Sequence, residues 1–136
     1  MRVTAAIPLA RRIREQERGN AVVEFVLVTP LLLAVALAIV QVALALHVRA
    51  TLVSAAAEGA RASALAGADP GAGERRTRDL LQGTIAGGVI DHIEVTRVMR
   101  QGLVVHEVRI DAGLPLVGLL GPTAMSVTGH AMAEFA

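Results

Sequence analysis

The chain has 136 residues, of which 18% are charged and 54% apolar, and its net charge is +1. That is room for one small domain and an anchor, not for two cores. The absence of cysteine excludes disulfides and thiolate metal sites, and two Phe with no Trp or Tyr leave almost no aromatic surface for stacking on bases or sugars.

The charge is unevenly placed. Residues 1–19 carry Arg2, Arg11, Arg12, Arg14 and Arg18 against Glu15 and Glu17, whereas residues 20–136 carry eight arginines against ten acids. The basic pI therefore comes from the N-terminal leader. It is not a nucleic-acid footprint, and no nucleic-acid partner is expected.

From Phe25 to Leu46 run 22 residues, "FVLVTPLLLAVALAIVQVALAL", without a formal charge. As a helix this stretch would be about 33 Å long, enough to cross a bilayer core. Pro30 lies in its first turns, where it removes one backbone donor, a loss that membrane helices tolerate. The arginines before the run outnumber Arg49 just after it, so the positive-inside rule keeps the N-terminus cytoplasmic and places residues beyond Leu46 outside. Two other readings fit the hydropathy. A signal peptide could end at Ala43-Leu44-Ala45, although the apolar run exceeds the ~7–15 residues of such a core. A plain anchor that is never cut fits equally well but gives Glu24 no role.

Glu24 is the oddity, a carboxylate at the threshold of the apolar run. A charge at the bilayer centre costs about 2.5–3.5 kcal/mol on insertion scales and less near an interface. An isolated Glu24 could simply reach the headgroups. Alternatively, cleavage after Gly19 would give Asn20 a new amino group, with Glu24 as the fifth residue of the mature chain. Ammonium and carboxylate could then neutralise each other when helices stack in a low-dielectric medium.

The form "RGNAVVEFVLVTPLLL" followed by "AAAEGARASALAG" (Ala55 to Gly67) resembles the type IV prepilin signal, and in particular the TadE family of pilin-like proteins in tight-adherence (Flp-type) pilus systems. The resemblance covers Arg18 to Gly67. It implies a minor structural or assembly subunit, with no enzymatic activity and no cofactor, in the bacterial cytoplasmic membrane. It also implies a prepilin peptidase that cuts after Gly19, leaving Asn20 first, and an assembly role for Glu24 and Phe25. Expected partners are the membrane, copies of itself, related pilin-like subunits and the pilus export platform. Other type IV pilins commonly carry a methylated Phe where this chain has Asn20, so N-methylation does not carry over.

Beyond the run, "HVRATLVSAAAEGARASALAG" (His47 to Gly67) holds no proline and should continue the helix. Its small residues Ala55, Ala56, Ala57, Gly59, Ala60 and Ala62 permit close approach of another helix or sheet. Glu58, Gly59 and Arg61 are candidate helix-packing residues, and Glu58 and Arg61, three apart, can also pair on a solvated face. "GADPGAG" (Gly67 to Gly73) reads as a loop and lacks the Lys-Ser/Thr ending of a phosphate loop. A second helix is expected over Glu74 to Ala86, with Arg75, Arg76 and Arg78 as its basic face.

Period-two patterns follow at Asp91 to Arg97, where Ile93 and Val95 alternate with polar residues, and at Val104 to Asp111, where Val104, His106, Val108 and Ile110 share a face. A third lies at Met125 to Phe135, where Met125, Val127, Gly129, Ala131, Ala133 and Phe135 point inward; "RQG" (Arg100 to Gly102) is a hairpin turn. The apolar link Leu114 to Pro122 is expected over the sheet or at the membrane. The whole implies an α+β architecture: a long N-terminal transmembrane helix (residues 20–66 with its extension) entering a small domain (74–136) with a second helix and a three-stranded antiparallel sheet. His47, His92, His106 and His130 are scattered without a ligand pair, and Ser54, Ser63 and Ser126 lack a nucleophile-elbow context. No metal site and no catalytic site is expected.

Overall fold

The computed structural model describes residues 7–114 and 123–134. Pro115 to Pro122 of the apolar link, and Phe135, lie outside them. The order of elements is α1 (Ile7–Ala64), α2 (Ala72–Leu81), a 3-10 turn (Ala86–Val89), β1 (Ile90–Arg100), β2 (Leu103–Leu114) and β3 (Thr123–Met132). The chain divides into two compact units, Met1–Gln41 and Val42–Ala136, and α1 contributes to both.

In the first unit, the α1 residues from Phe25 to Val40 are almost all apolar and almost all exposed, around the whole helix. Phe25, Leu27, Leu31, Leu37 and Ile39 are each more than 60% exposed. A helix that is hydrophobic all round belongs either in a core or in lipid, and here no core surrounds it.

In the second unit, α1 becomes one-sided. Val48, Leu52, Ala55, Ala56, Gly59, Ala60 and Ala64 are buried, at the three- and four-residue spacing of a single helical face. Against this face lie the inward residues of a three-stranded antiparallel sheet in the order β1-β2-β3. β2 contributes His106, Val108, Ile110, Ala112 and Leu114, β1 contributes Ile93, and β3 contributes Val127. The alternation read from the sequence thus assigns the correct faces, and the fold is α+β as expected.

The hairpin between β1 and β2 closes on Gln101 and Gly102, with φ of 51° and 79°. Two consecutive positive φ values match the twist of the flanking strands, and Gly102 adopts its value without strain. β1 opens with a register shift between Ile90 and His92, so Asp91 is the extra residue of a bulge. Beyond β3, the Glu134 amide donates to the Ala64 carbonyl at 2.9 Å and so caps the end of α1.

The second helix differs from the expected Glu74 to Ala86. It starts two residues earlier, at Ala72, and stops at Leu81. At the front, the Asp69 carboxylate accepts from the Gly71 amide and, at 2.6 Å, from the Arg75 guanidinium. At the back, Gly83 takes φ +77°, a left-handed conformation that ends a helix, and the Thr84 hydroxyl donates to the Leu81 carbonyl. Ile85 and Ala86 continue the apolar pattern but not the helix.

Gly129 shows how tightly the layers meet. A Cβ there would strike the backbone of α1 at Ala56 and Ala57, which cannot yield as a flexible side chain could. Gly129→Ala should therefore destabilise the domain by about 1–3 kcal/mol, the usual cost of overpacking. Gly88→Ala, where the added carbon meets nothing, serves as the control. Chemical unfolding of the full chain in detergent checks this, and equal stability of the two variants would contradict the packing.

Candidate functional site

Two regions contain the residues singled out by the sequence. The first is the start of the apolar helix. Gly19, Asn20, Glu24 and Phe25 all lie within α1 and are all exposed. Asn20 and Glu24 are four apart, one turn, and therefore share a face. Among the described residues no ion-pair partner of Glu24 is found. Gly19 has no steric reason to be glycine, since a Cβ at that position would meet nothing within 4 Å. A glycine inside a helix costs about 1 kcal/mol relative to alanine. Among the described residues no contact offsets that cost. From Gly19 onward this is the only helix among the described residues long and apolar enough to cross a membrane, with a mean hydropathy of 2.6 over an 18-residue window.

The second region is the small-residue seam where α2 lies on α1. Gly59 faces Thr77 and the Gly73 carbonyl, and a Cβ on Gly59 would overlap the Thr77 hydroxyl. Reciprocally, a Cβ on Gly73 would overlap the Ser63 hydroxyl. Thr77 is fully buried and donates to the Gly73 carbonyl at 2.9 Å, with the Ala55 carbonyl at 3.5 Å, while Ser63 donates to Gly59 at 3.2 Å. Hydroxyls bonded to their own helix carbonyls let the two backbones approach with no polar group left bare.

The three candidate packing residues separate here. Gly59 is in the seam, whereas Glu58 and Arg61 pair with each other on the surface. Sequence reasoning missed Gly73 and Thr77. Their signal was the stripe Gly73, Thr77, Leu81 at four-residue spacing, obscured by the three arginines around it. Of those, Arg75 is held by Asp69 and Arg78 by Glu74 at 2.6 Å each, and all are exposed.

The histidines are placed individually. His47 is exposed beside the α1–α2 groove, His92 is exposed on β1, and His130 Nε2 lies 3.0 Å from Glu107 on the outer sheet face. No group of three or more His, Asp or Glu among the described residues is arranged to hold a metal ion. A cleft of about 770 Å³ opens between α2 and β1, lined by Glu74, Arg78, Asp79, Asp91 and His92 among others. Arg78 is already tied to Glu74 there, and the other charged side chains turn to solvent.

Among the described residues three groups are shifted. The Arg75 hydrogen bond, then the Gly71 amide, holds the Asp69 carboxyl below its usual range. The Ser126 hydroxyl and then Arg109 do the same for Asp111. His106, only 7% exposed on the inner face of β2, is pushed down by burial first and by the Arg97 guanidinium second.

The last shift has a pH consequence. The unfolded chain binds a proton on this histidine near 6.5, the folded domain only at lower pH. Stability is therefore complete above about pH 6.5 and falls as pH drops from there toward the folded value. His106→Gln should flatten this part of the curve when thermal midpoints of the full chain in detergent are followed from neutral to mildly acid pH. Identical slopes in parent and variant would contradict the assignment.

No curated protein and no solved structure matches the chain. A family model does: over residues 19–61, from Gly19 through Glu24 and the apolar run to Arg61, the sequence matches the family described as TadE-like protein.

Proposed function

We propose that this chain is a pilin-like minor structural or assembly subunit of a Tad (Flp-type) pilus, processed by a prepilin peptidase between Gly19 and Asn20. The family match supports a pilus-related subunit of a structural rather than catalytic kind. The apolar helix and the match together fit a single-pass membrane protein. In the proposed topology the arginine-rich leader stays in the cytoplasm and the α+β domain lies outside.

The observation that carries the processing step is the unexplained glycine. Gly59 and Gly129 are glycine because a neighbour fills the space of a Cβ, but at Gly19 that space is empty. A glycine with no contact to explain it, at the position that the prepilin-like signal places just before the cut, fits the subsite of a peptidase. The bond after Gly19 lies within α1, so it must leave the helix to be cut. Glycine lowers that local cost by about 1 kcal/mol.

Glu24 completes the reading. Cleavage frees an ammonium at Asn20, and Glu24 lies one turn further on the same face. When this helix packs beside that of another pilin-like subunit in lipid, a carboxylate and an amine that compensate each other remove the cost of burying either one alone. The helix is then a membrane-stored subunit that the export platform can draw into an assembly. The alternative is an anchored interaction module that is never cleaved.

Mass spectrometry of the protein extracted from membranes separates the two. The proposal expects a mature chain starting at Asn20, and retention of the leader in Gly19→Val. Glu24→Gln should leave the domain folded but reduce recovery in assembled complexes by roughly tenfold or more, the effect of stranding one charge of a buried pair. An intact start at Met1, or a start at Leu46, would reject the processing step.

A further inference from the structure

At the end of the domain from which the apolar helix emerges, the connection between α2 and β1 carries no formal charge, with Asp79, Asp91 and His92 flanking it. The Gly73 and Thr77 contacts with Gly59, and Thr77 with Ala55, make α2 run back along α1 in the opposite sense. Four more residues, about 6 Å of helix, bring Leu81 near the level of Thr51. Leu80 accordingly lines a groove with His47, Ala50 and Thr51. The turn Gln82–Val89 therefore lies near the level of Leu46 and His47.

The sheet gives the same level independently. β3 runs alongside α1, with Gly129 on Ala56 and Glu134 bonded to Ala64. Stepping back six residues to Thr123 covers about 20 Å of strand. That distance reaches the neighbourhood of Leu46, with Ala45 among the residues packed on the core. β1 also starts at this end, because Ile90 pairs with Ala112 and Ala112 with Met125.

On this end Ile85 is 63% exposed while its neighbour Ala86 is buried. The connection around it, Leu80 to Ile90, carries no formal charge. The connections at the opposite end do: Asp69 in the α1–α2 loop, and Arg100 at the hairpin turn. On α1 at the same level, Val42, Leu44 and Leu46 are exposed. An apolar side chain on an uncharged turn, level with the end of a lipid-spanning run, continues the surface that lipid already covers.

We infer that the turn Gln82–Val89 seats on the bilayer interface, with Ile85 inserted among the upper acyl chains. This rests on the spanning reading of the apolar run. Insertion to about 5–10 Å, as for interfacial apolar faces generally, suffices. The occupant is a lipid surface; the turn itself offers no cation to select a headgroup, and Arg49 on α1 is exposed near the same level. A second lipid contact beside the helix fixes the rotation of the domain about α1, and so decides which sheet face is presented to neighbouring subunits.

The absence of native cysteine makes the test direct. Single cysteines at Leu46, Gly88 or Gln101 of the full chain are labelled with an environment-sensitive fluorophore. Each protein is reconstituted in phosphatidylcholine vesicles containing a lipid with a quencher near the headgroup. Gly88 is exposed and has open space, so the label disturbs no packing, and Ile85 is retained. Quenching and a blue shift at Gly88 comparable to those at Leu46, none at Gln101, and loss of the Gly88 signal in Ile85→Asp are expected. Quenching at Leu46 but not at Gly88, or a Gly88 signal indifferent to Ile85→Asp, overturns the inference and leaves the spanning helix intact. No quenching at Leu46 overturns the spanning reading and this inference with it.

Discussion

Where β3 crosses α1 at Gly129, the two backbones are too close to admit a single extra carbon, and the domain is arranged around that contact. Close approach is required because the core is lean. Most of its α1 side chains are alanines, each burying little apolar area. Such a core gains from dispersion only if the backbones themselves come together. The same logic repeats on the other flank, where Gly59, Gly73 and the folded-back hydroxyls of Ser63 and Thr77 bring α2 against the helix. Small residues here do for a water-exposed domain what they commonly do between helices in lipid.

This arrangement makes α1 serve two surroundings. From Phe25 to Leu46 its side chains are almost all apolar and mostly exposed, on every side. From Val48 onward it narrows to one small-residue face with a polar opposite side that includes Glu58 and Arg61. The change in composition fits a helix that passes out of a membrane. Beyond Val48 one face of the helix is committed to folding, whereas among the described residues a Cβ at Gly19 would meet nothing within 4 Å and Glu24 has no ion pair.

Much of this was legible in the sequence, and the reason is locality. Period-two runs reveal strand faces without knowledge of partners, so β1, β2, β3 and the Arg100–Gly102 turn could be placed. The uncharged run and the Gly19–Glu24 spacing are likewise local patterns. What stayed hidden depended on distant contacts. Thr77 meets Ala55 across 22 residues, and no window around Thr77 shows it. Gly73 looked like loop because glycine usually is, yet it is helical for the close approach it allows. The end of α2 was misplaced because Ile85 and Ala86 keep the apolar pattern while the positive φ of Gly83 ends the helix. His106 could be assigned to the inner face, but its near-complete burial depends on neighbours from other strands.

Whether one helix truly changes surroundings near Val48 is open to a direct measurement. Single cysteines placed along α1 of the full chain, in lipid vesicles, are scanned with a water-soluble thiol reagent. The account predicts no reaction on any face from Phe25 to Leu46, then a helical period beyond it: reaction at Val53, Ser54 and Arg61, protection at Leu52, Ala56 and Ala60. A helical period of reaction within Phe25 to Leu46 itself would mean that water reaches one side of that segment, and would contradict it.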